Sequence, residues 1–210
     1  GMDGFGQISV LAKCAKPDCA IITNIGVSHI ENLGSREGIL KAKLEMLDGL
    51  EKGSSLFLNG DNDMLSTVKN DDYNIVFFGI ENKNCDILAE DIKEIGLSTE
   101  FIAVKGDIRQ KIIIPTVGIH NVYDALSAFA VGVEYGISPE NIAKGLMNYA
   151  PSGMRQKIRE VNGITVIEDC YNASPDSQKA GLNSLCKIAN GRKIAVLGDM
   201  LELGTYSETA

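Results

Sequence analysis

Short apolar runs closed by polar, glycine-marked turns set the pattern of the first eighty residues. The isoleucine-rich run at 20–23 ends on Asn24 and Gly26, which predicts a strand buried on both faces. Runs at 56–58 and 75–78, each flanked by turn residues, predict two more strands. Between the first two, residues 35–50 carry a helical repeat, with Ser35 placed as N-cap and Gly53 just past the end. A strand, a helix long enough for a right-handed crossover and a second strand predict an α/β fold. From 86 to 115 the pattern turns to strand-length segments, 101–104 and 111–114 among them, which predicts an antiparallel meander appended to the sheet. Residues 121–135 and 139–148 read as helices.

Pro151-Ser152-Gly153 is the candidate linker. A fresh α/β pattern follows: a strand at 165–168, a helix at 175–187 with Ser174 as cap and Pro175 at its first position, and a strand at 193–197. The division is therefore 1–151 and 152–210. So few elements build little core of their own, so the second unit is expected to be the truncated start of a domain.

A net charge of −8 argues against nucleic acid or an anionic membrane surface as the main partner. It leaves room for a nucleotide held locally by backbone N–H groups and a few basic side chains. Five cysteines, an odd number with no CxxC pair, fit free thiols in a reducing cytoplasm rather than disulfides or a zinc site. No apolar run reaches the roughly 18 residues of a membrane span, and no signal peptide is evident.

Several polar residues stand where chemistry is expected. Ile39, Leu40, Ala42, Leu44, Met46, Leu47 and Leu50 form one broad apolar arc of the 35–50 helix, and Lys43 falls near its centre. Such a lysine either snorkels to solvent at a domain edge or has its amine pKa lowered by burial. A neutral amine can act as a nucleophile, or take up carbon dioxide to become a carbamate that binds a hard cation through oxygen. His29 follows the first strand, at the end where α/β sheets place ligands; a hydrogen-bonded loop histidine is the alternative. Asn121, after Gly118-Ile119-His120, suits either a helix N-cap or the edge of adenine. Asp169 closes the 165–168 strand and can hold ribose hydroxyls or a metal, or be a solvated turn carboxylate; Asp199 repeats that arrangement after 193–197. No GxxxxGK[ST] phosphate loop occurs in the sequence.

Four segments together resemble the Mur ligase family. Thr23-Asn24-Ile25-Gly26-Val27-Ser28-His29 through Ser35, followed by Ala42-Lys43, is similar to the family's central domain, and Gly118-Ile119-His120-Asn121 to its adenine-side helix start. Asp169-Cys170-Tyr171-Asn172-Ala173-Ser174-Pro175 and Gly198-Asp199-Met200-Leu201-Glu202-Leu203-Gly204 resemble the branch that adds D-alanyl-D-alanine. The resemblance runs over nearly the whole chain. It implies a central P-loop-type mononucleotide-binding sheet with appended antiparallel strands, followed by the first part of a Rossmann-like C-terminal domain. It also implies a cytoplasmic, monomeric, ATP- and Mg2+-dependent ligase acting on UDP-N-acetylmuramoyl-tripeptide and D-alanyl-D-alanine. Lys43 falls on the family's carbamylated lysine and His29 on its magnesium ligand. Asn121 falls on the adenine contact, Arg155 on the interdomain arginine that reaches the ATP phosphates, and Asp169, with Asn172 beside it, on the nucleotide contact of the C-terminal domain. The phosphate loop, a second magnesium-binding carboxylate and the UDP-sugar domain are expected upstream of residue 1, so the chain alone is expected to be inactive. The runner-up is another ligase of the superfamily, of the folylpolyglutamate or cyanophycin synthetase type, against which the Tyr171-Asn172 and Leu201-to-Gly204 segments argue. A non-catalytic binding module is the reading of a different class.

Overall fold

The computed structural model describes residues 1–188 and 191–208. Helix α1 (Gln7–Ala15) leads into strand β1 (Cys19–Ile22), a short helix α2 (Ile30–Leu33) and helix α3 (Arg36–Leu44). Strands β2 (Ser55–Asn59), β3 (Asn74–Gly79), β4 (Ile87–Ile95), β5 (Ser98–Lys105) and β6 (Ile108–Ile114) follow, then helices α4 (Ile119–Glu134) and α5 (Pro139–Met147). Strands β7 (Lys157–Val161) and β8 (Ile164–Glu168) and helix α6 (Pro175–Ile188) complete the regular elements.

Six strands form one sheet in the order β1-β2-β3-β4-β5-β6. The first four run parallel, and β4, β5 and β6 are antiparallel, as the change of pattern at residue 86 predicts. Strand β4 begins beside the end of β3, pairing only Phe78 with Ile87 and Gly79 with Leu88. A short loop therefore suffices where a full parallel crossover needs a dozen residues. The Asp61 carboxylate holds that loop, accepting from the backbone N–H of Ile80 (2.6 Å), Glu81 (3.0 Å) and Asn82 (2.6 Å) and from the Tyr123 hydroxyl (2.8 Å). Burial raises the Asp61 pKa, but these four donors outweigh it and leave the carboxyl below its ordinary value.

Strand β2 is buried along its whole length, because both faces of the sheet are covered. Leu56 and Leu58 join Ile22, Ile25, Ile39 and Ala42 on the α3 side. Phe57 points the other way, into Phe78, Phe101, Leu126 and Phe129. Helix α4 presents Val122, Ala125, Leu126, Phe129 and Ala130 to that second core, a spacing of three and four residues that makes one continuous stripe. Gly132 permits the approach of α5, since a Cβ there would lie 2.7 Å from Ile142 Cδ1.

The predicted 35–50 helix divides. It is α-helical to Leu44, with Ser35 capping through Gly38 N–H, and 3-10 from Glu45 to Gly49. The tightening brings Gly49 against α1, where a Cβ would meet the Ala12 carbonyl oxygen at 2.1 Å. Beyond the linker, β7 and β8 form an antiparallel hairpin across Asn162-Gly163, both with positive φ (52° and 76°). That dipeptide is a strong local hairpin signal, and the pattern of the flanking residues alone does not bring β7 out. Ser174 caps α6 through Ser177 N–H. The strand expected at 193–197 does not form. Ile194, Val196 and Leu197 are exposed, and without a neighbouring strand there is nothing to satisfy their backbone groups in a ladder.

Candidate functional site

The loop after β1, the N-terminus of α4 and the start of the second region surround a cavity of about 590 Å³. His29, Lys43, Asn121, Arg155 and Asp169, five of the six residues to which the family resemblance gives a role, line it together, and Asp199 does not. Asn172 does not line it; its side-chain oxygen accepts from Ala173 N–H in a local turn (2.8 Å).

Lys43 stands in the last turn of α3, half-buried, and Nζ donates to the Asn24 carbonyl at 2.6 Å. Burial pushes its pKa below the ordinary lysine value. The apolar arc therefore ends at a cavity wall, and the amine turns into the cavity. The loop it touches is pinned from three directions. Asn59 Nδ2 donates to Thr23 O (3.0 Å), and Asn62 Nδ2 to Asn24 Oδ1 (2.9 Å). Arg36 grips Asp63 through both oxygens (2.7 and 2.5 Å) and donates to Ile25 O (2.8 Å). The hydrogen bond to Asp63 raises the Arg36 pKa, and the same bond lowers that of Asp63.

His29 precedes α2 in the left-handed region, at φ 62°, a conformation uncommon for a residue with a side chain. Its Nδ1 contacts Glu202 Oε2 from the C-terminal segment.

Asn121 is not the N-cap of α4. Gly118 occupies that position with φ 102°, so the helix starts two residues earlier than its apolar repeat indicates and Asn121 is its third residue. Its Nδ2 lies within hydrogen-bond reach of Val117 O (2.7 Å), Gln156 Oε1 (2.9 Å), Thr116 Oγ1 (3.0 Å) and His120 Nε2 (3.1 Å). Asp124, one turn further along α4, also lines the cavity. It is open to the cavity yet surrounded by protein, and this loss of bulk water raises its carboxyl above the ordinary range against the opposing pull of His120.

Arg155 stacks on Tyr171, with its guanidinium carbon 4.1 Å from the ring centre. Asp169 accepts from Gln156 N–H (3.3 Å). Asp176, at the start of α6, approaches Gly26, where a Cβ would lie 3.0 Å from its Oδ2. Asp124, Gln156 and Asp176 were not reached from the sequence. The spacing of Asp124 three residues after Asn121 is a usable signal for a shared helix face; Gln156 has none, since it is placed by the chain folding back. Among the described residues, no three His, Cys, Asp or Glu side chains gather as a metal cluster.

A sheet with parallel strands, loops at the strand ends that line a cavity, and a second region sharing that cavity define a class of α/β ligand-binding proteins. The Mur ligase middle domain model matches residues 1–132, and the Mur ligase glutamate ligase domain model matches residues 154–210. The chain belongs to the Mur ligase family. It is 42% identical over 211 residues to the UDP-N-acetylmuramoyl-tripeptide–D-alanyl-D-alanine ligase of Bacillus subtilis, covering 100% of this chain and 45% of that protein. It superposes on MurF from Acinetobacter baumannii with a TM-score of 0.92 at 29% identity, over 100% of this chain and 46% of that one. It superposes on MurF ligase from Thermotoga maritima in complex with ADP with a TM-score of 0.86 at 26% identity, over 98% of this chain and 47% of that one. The chain thus spans about half the length of the relatives it matches. Among the described residues no helix is long and apolar enough to cross a membrane.

Proposed function

We propose that this chain, with 1–151 as central domain and 152–210 as the start of the C-terminal domain, belongs to a cytoplasmic ATP-dependent amide ligase. The ligase adds D-alanyl-D-alanine to UDP-N-acetylmuramoyl-tripeptide. The γ-phosphoryl group of ATP passes to the terminal carboxylate of the tripeptide, and ADP leaves. The dipeptide amine attacks the acyl phosphate carbon, the C–N bond forms, the C–O bond to phosphate breaks, and the amine loses a proton. The observation that carries this reading is Lys43, aimed into the cavity that Asn121, Arg155 and Asp169 also line.

Asn121 Oδ1 accepts no hydrogen bond from a described residue, which suits the adenine amino group. Arg155 lines the cavity from the second region, and a guanidinium suits phosphate oxygens. As a carbamate, Lys43 would offer Mg2+ an anionic oxygen group, and the His29 imidazole would offer a ring nitrogen from the same cavity. When bound, that cation neutralises charge on the transferring phosphoryl group. The sequence 1–210 holds no GxxxxGK[ST] loop, so the 210-residue chain by itself is expected not to turn over ATP.

The test is ligation in the full-length protein that contains this chain. ADP release should require both UDP-N-acetylmuramoyl-tripeptide and D-alanyl-D-alanine. Turnover with a folate and glutamate in their place would favour the runner-up. ATP turnover by the 210-residue chain alone would show that its own residues suffice.

A further inference from the structure

We propose that Glu202 is a positioning residue for His29, holding the imidazole proton on Nδ1 so that Nε2 is left to face a divalent cation. The identity of that cation rests on the ligase reading above; the His29–Glu202 relation does not.

Nδ1 of His29 contacts Glu202 Oε2, and Nε2 makes no hydrogen bond to any described residue. A neutral imidazole carries one N–H, and a carboxylate at one ring nitrogen draws that proton to itself. The other nitrogen then keeps its lone pair outward, the arrangement by which a carboxylate behind a histidine orients a metal ligand. His29 lines the cavity, so the lone pair is available to a cation held there.

The contact is built rather than incidental. The Glu202 carbonyl accepts from Glu31 N–H at 3.2 Å. Leu203 is 5% exposed, whereas Leu201 is 78% and Val196 93% exposed in the segment leading to it. Gly204 lies against Glu31, where a Cβ would sit 3.4 Å from the Glu31 Cα. His29 and Glu202 both hold the left-handed conformation, at φ 62° each. Side-chain-bearing residues persist in that region where the surrounding structure holds them there. The docked segment thus presents its carboxylate to one histidine, and the cation site in the first region depends on the second region being in place.

The chain has two histidines, so His120→Gln assigns the His29 ring signals in 15N NMR. Spectra are taken on the metal-free 210-residue chain, well above the ordinary histidine pKa of about 6.5. The wild-type chain should show His29 as the Nδ1–H tautomer, and Glu202→Ala should move it to a mixture or to Nε2–H. Glu202→Leu removes the acceptor with the backbone docking kept, which continued protection of the Glu31 amide against exchange would report. The tautomer should shift in that variant too. In the full-length protein, Mn2+ affinity should fall about 10- to 100-fold in Glu202→Ala. An Nε2–H tautomer in the wild type, or an unchanged tautomer in Glu202→Leu with Glu31 still protected, overturns the proposal. Loss of the ligase reading alone would leave the tautomer result standing, so the two failures separate.

Discussion

The six-stranded region and the region after Gly153 are held together by different means. The first contains two cores, one on each face of the sheet, and Leu56, Leu58, Phe57, Phe78, Phe101 and Phe129 are sealed from solvent. In the second, Ser184 and Leu203 are the buried residues among those described, and both are buried against the first region: Ser184 beside Gly118 and Leu203 next to the Glu31 contact. Polar bridges add to these: Lys187 to Glu94 at 2.9 Å, Gln156 to Asn121 and Glu202 to His29. The second region nonetheless supplies Arg155, Asp169 and Asp176 to the cavity wall. A rigid body thus fixes half of the site, and a lightly attached region completes it. Few buried apolar contacts are the physical condition for a region to move or open at low cost.

The largest expected effect lies at the point where the two meet. Lys43→Ala in the full-length protein should abolish ligation, with partial rescue by acetate, because a small carboxylate can take the place of the proposed carbamate. Lys43→Arg should also fail, since a guanidinium offers no oxygen to a cation. Near-normal turnover of Lys43→Arg, or indifference of Lys43→Ala to acetate, would make Lys43 an edge lysine and remove the chemical half of the contrast.

A core deletion sharpens the mechanical half. Phe129→Ala should destabilise by about 3–5 kcal/mol in denaturant unfolding, since α4 packs it fully against the sheet. Val196→Ser in the exposed segment should change stability by no more than about 0.5 kcal/mol. Equal costs would mean that the second region has a core of its own.

Asn121→Ala should weaken ATP binding by about 1–3 kcal/mol, read as a rise in KM for ATP with kcat less affected. An unchanged KM with lowered stability would reduce Asn121 to a tie between Val117 and Gln156.

The smallest effect concerns the clamp on the β3–β4 loop. Tyr123→Phe should cost about 1 kcal/mol. Asp61 has a folded pKa below its unfolded value, so its contribution is complete above about pH 3.9 and is lost as pH falls through the folded value. In Asp61→Asn that acid-side loss of stability should flatten; an unchanged acid profile would mean that Asp61 does not stabilise the fold.

Much of this architecture was legible along the chain. The strands at 20–23, 56–58 and 75–78, the meander after 86 and the Ser35 and Ser174 caps are local patterns, and local patterns survive folding when the core agrees with them. Lys43 stood out for the same reason, because a cation in an apolar arc violates the local rule. Where the sequence pattern fell short, the deciding neighbour was distant. The 35–50 helix tightens after Leu44 because α1 crosses at Gly49. The 193–197 segment stays out of any sheet because a strand exists only beside another strand. Asn121 moved from cap to cavity wall because Gly118, able to adopt φ 102°, starts the helix earlier.

What the sequence by itself determined is thus the main strands and helices of the six-stranded region, the fold class and the residue types that carry chemistry, since these depend on period, capping and composition. Only the tertiary structure decided which of those residues meet. His29 faces Glu202 across 173 positions of sequence, and Asn121 reaches Gln156 across 35. Such pairs leave no periodic trace, because their spacing is set by how the second region folds back onto the first and not by the repeat of any helix or strand.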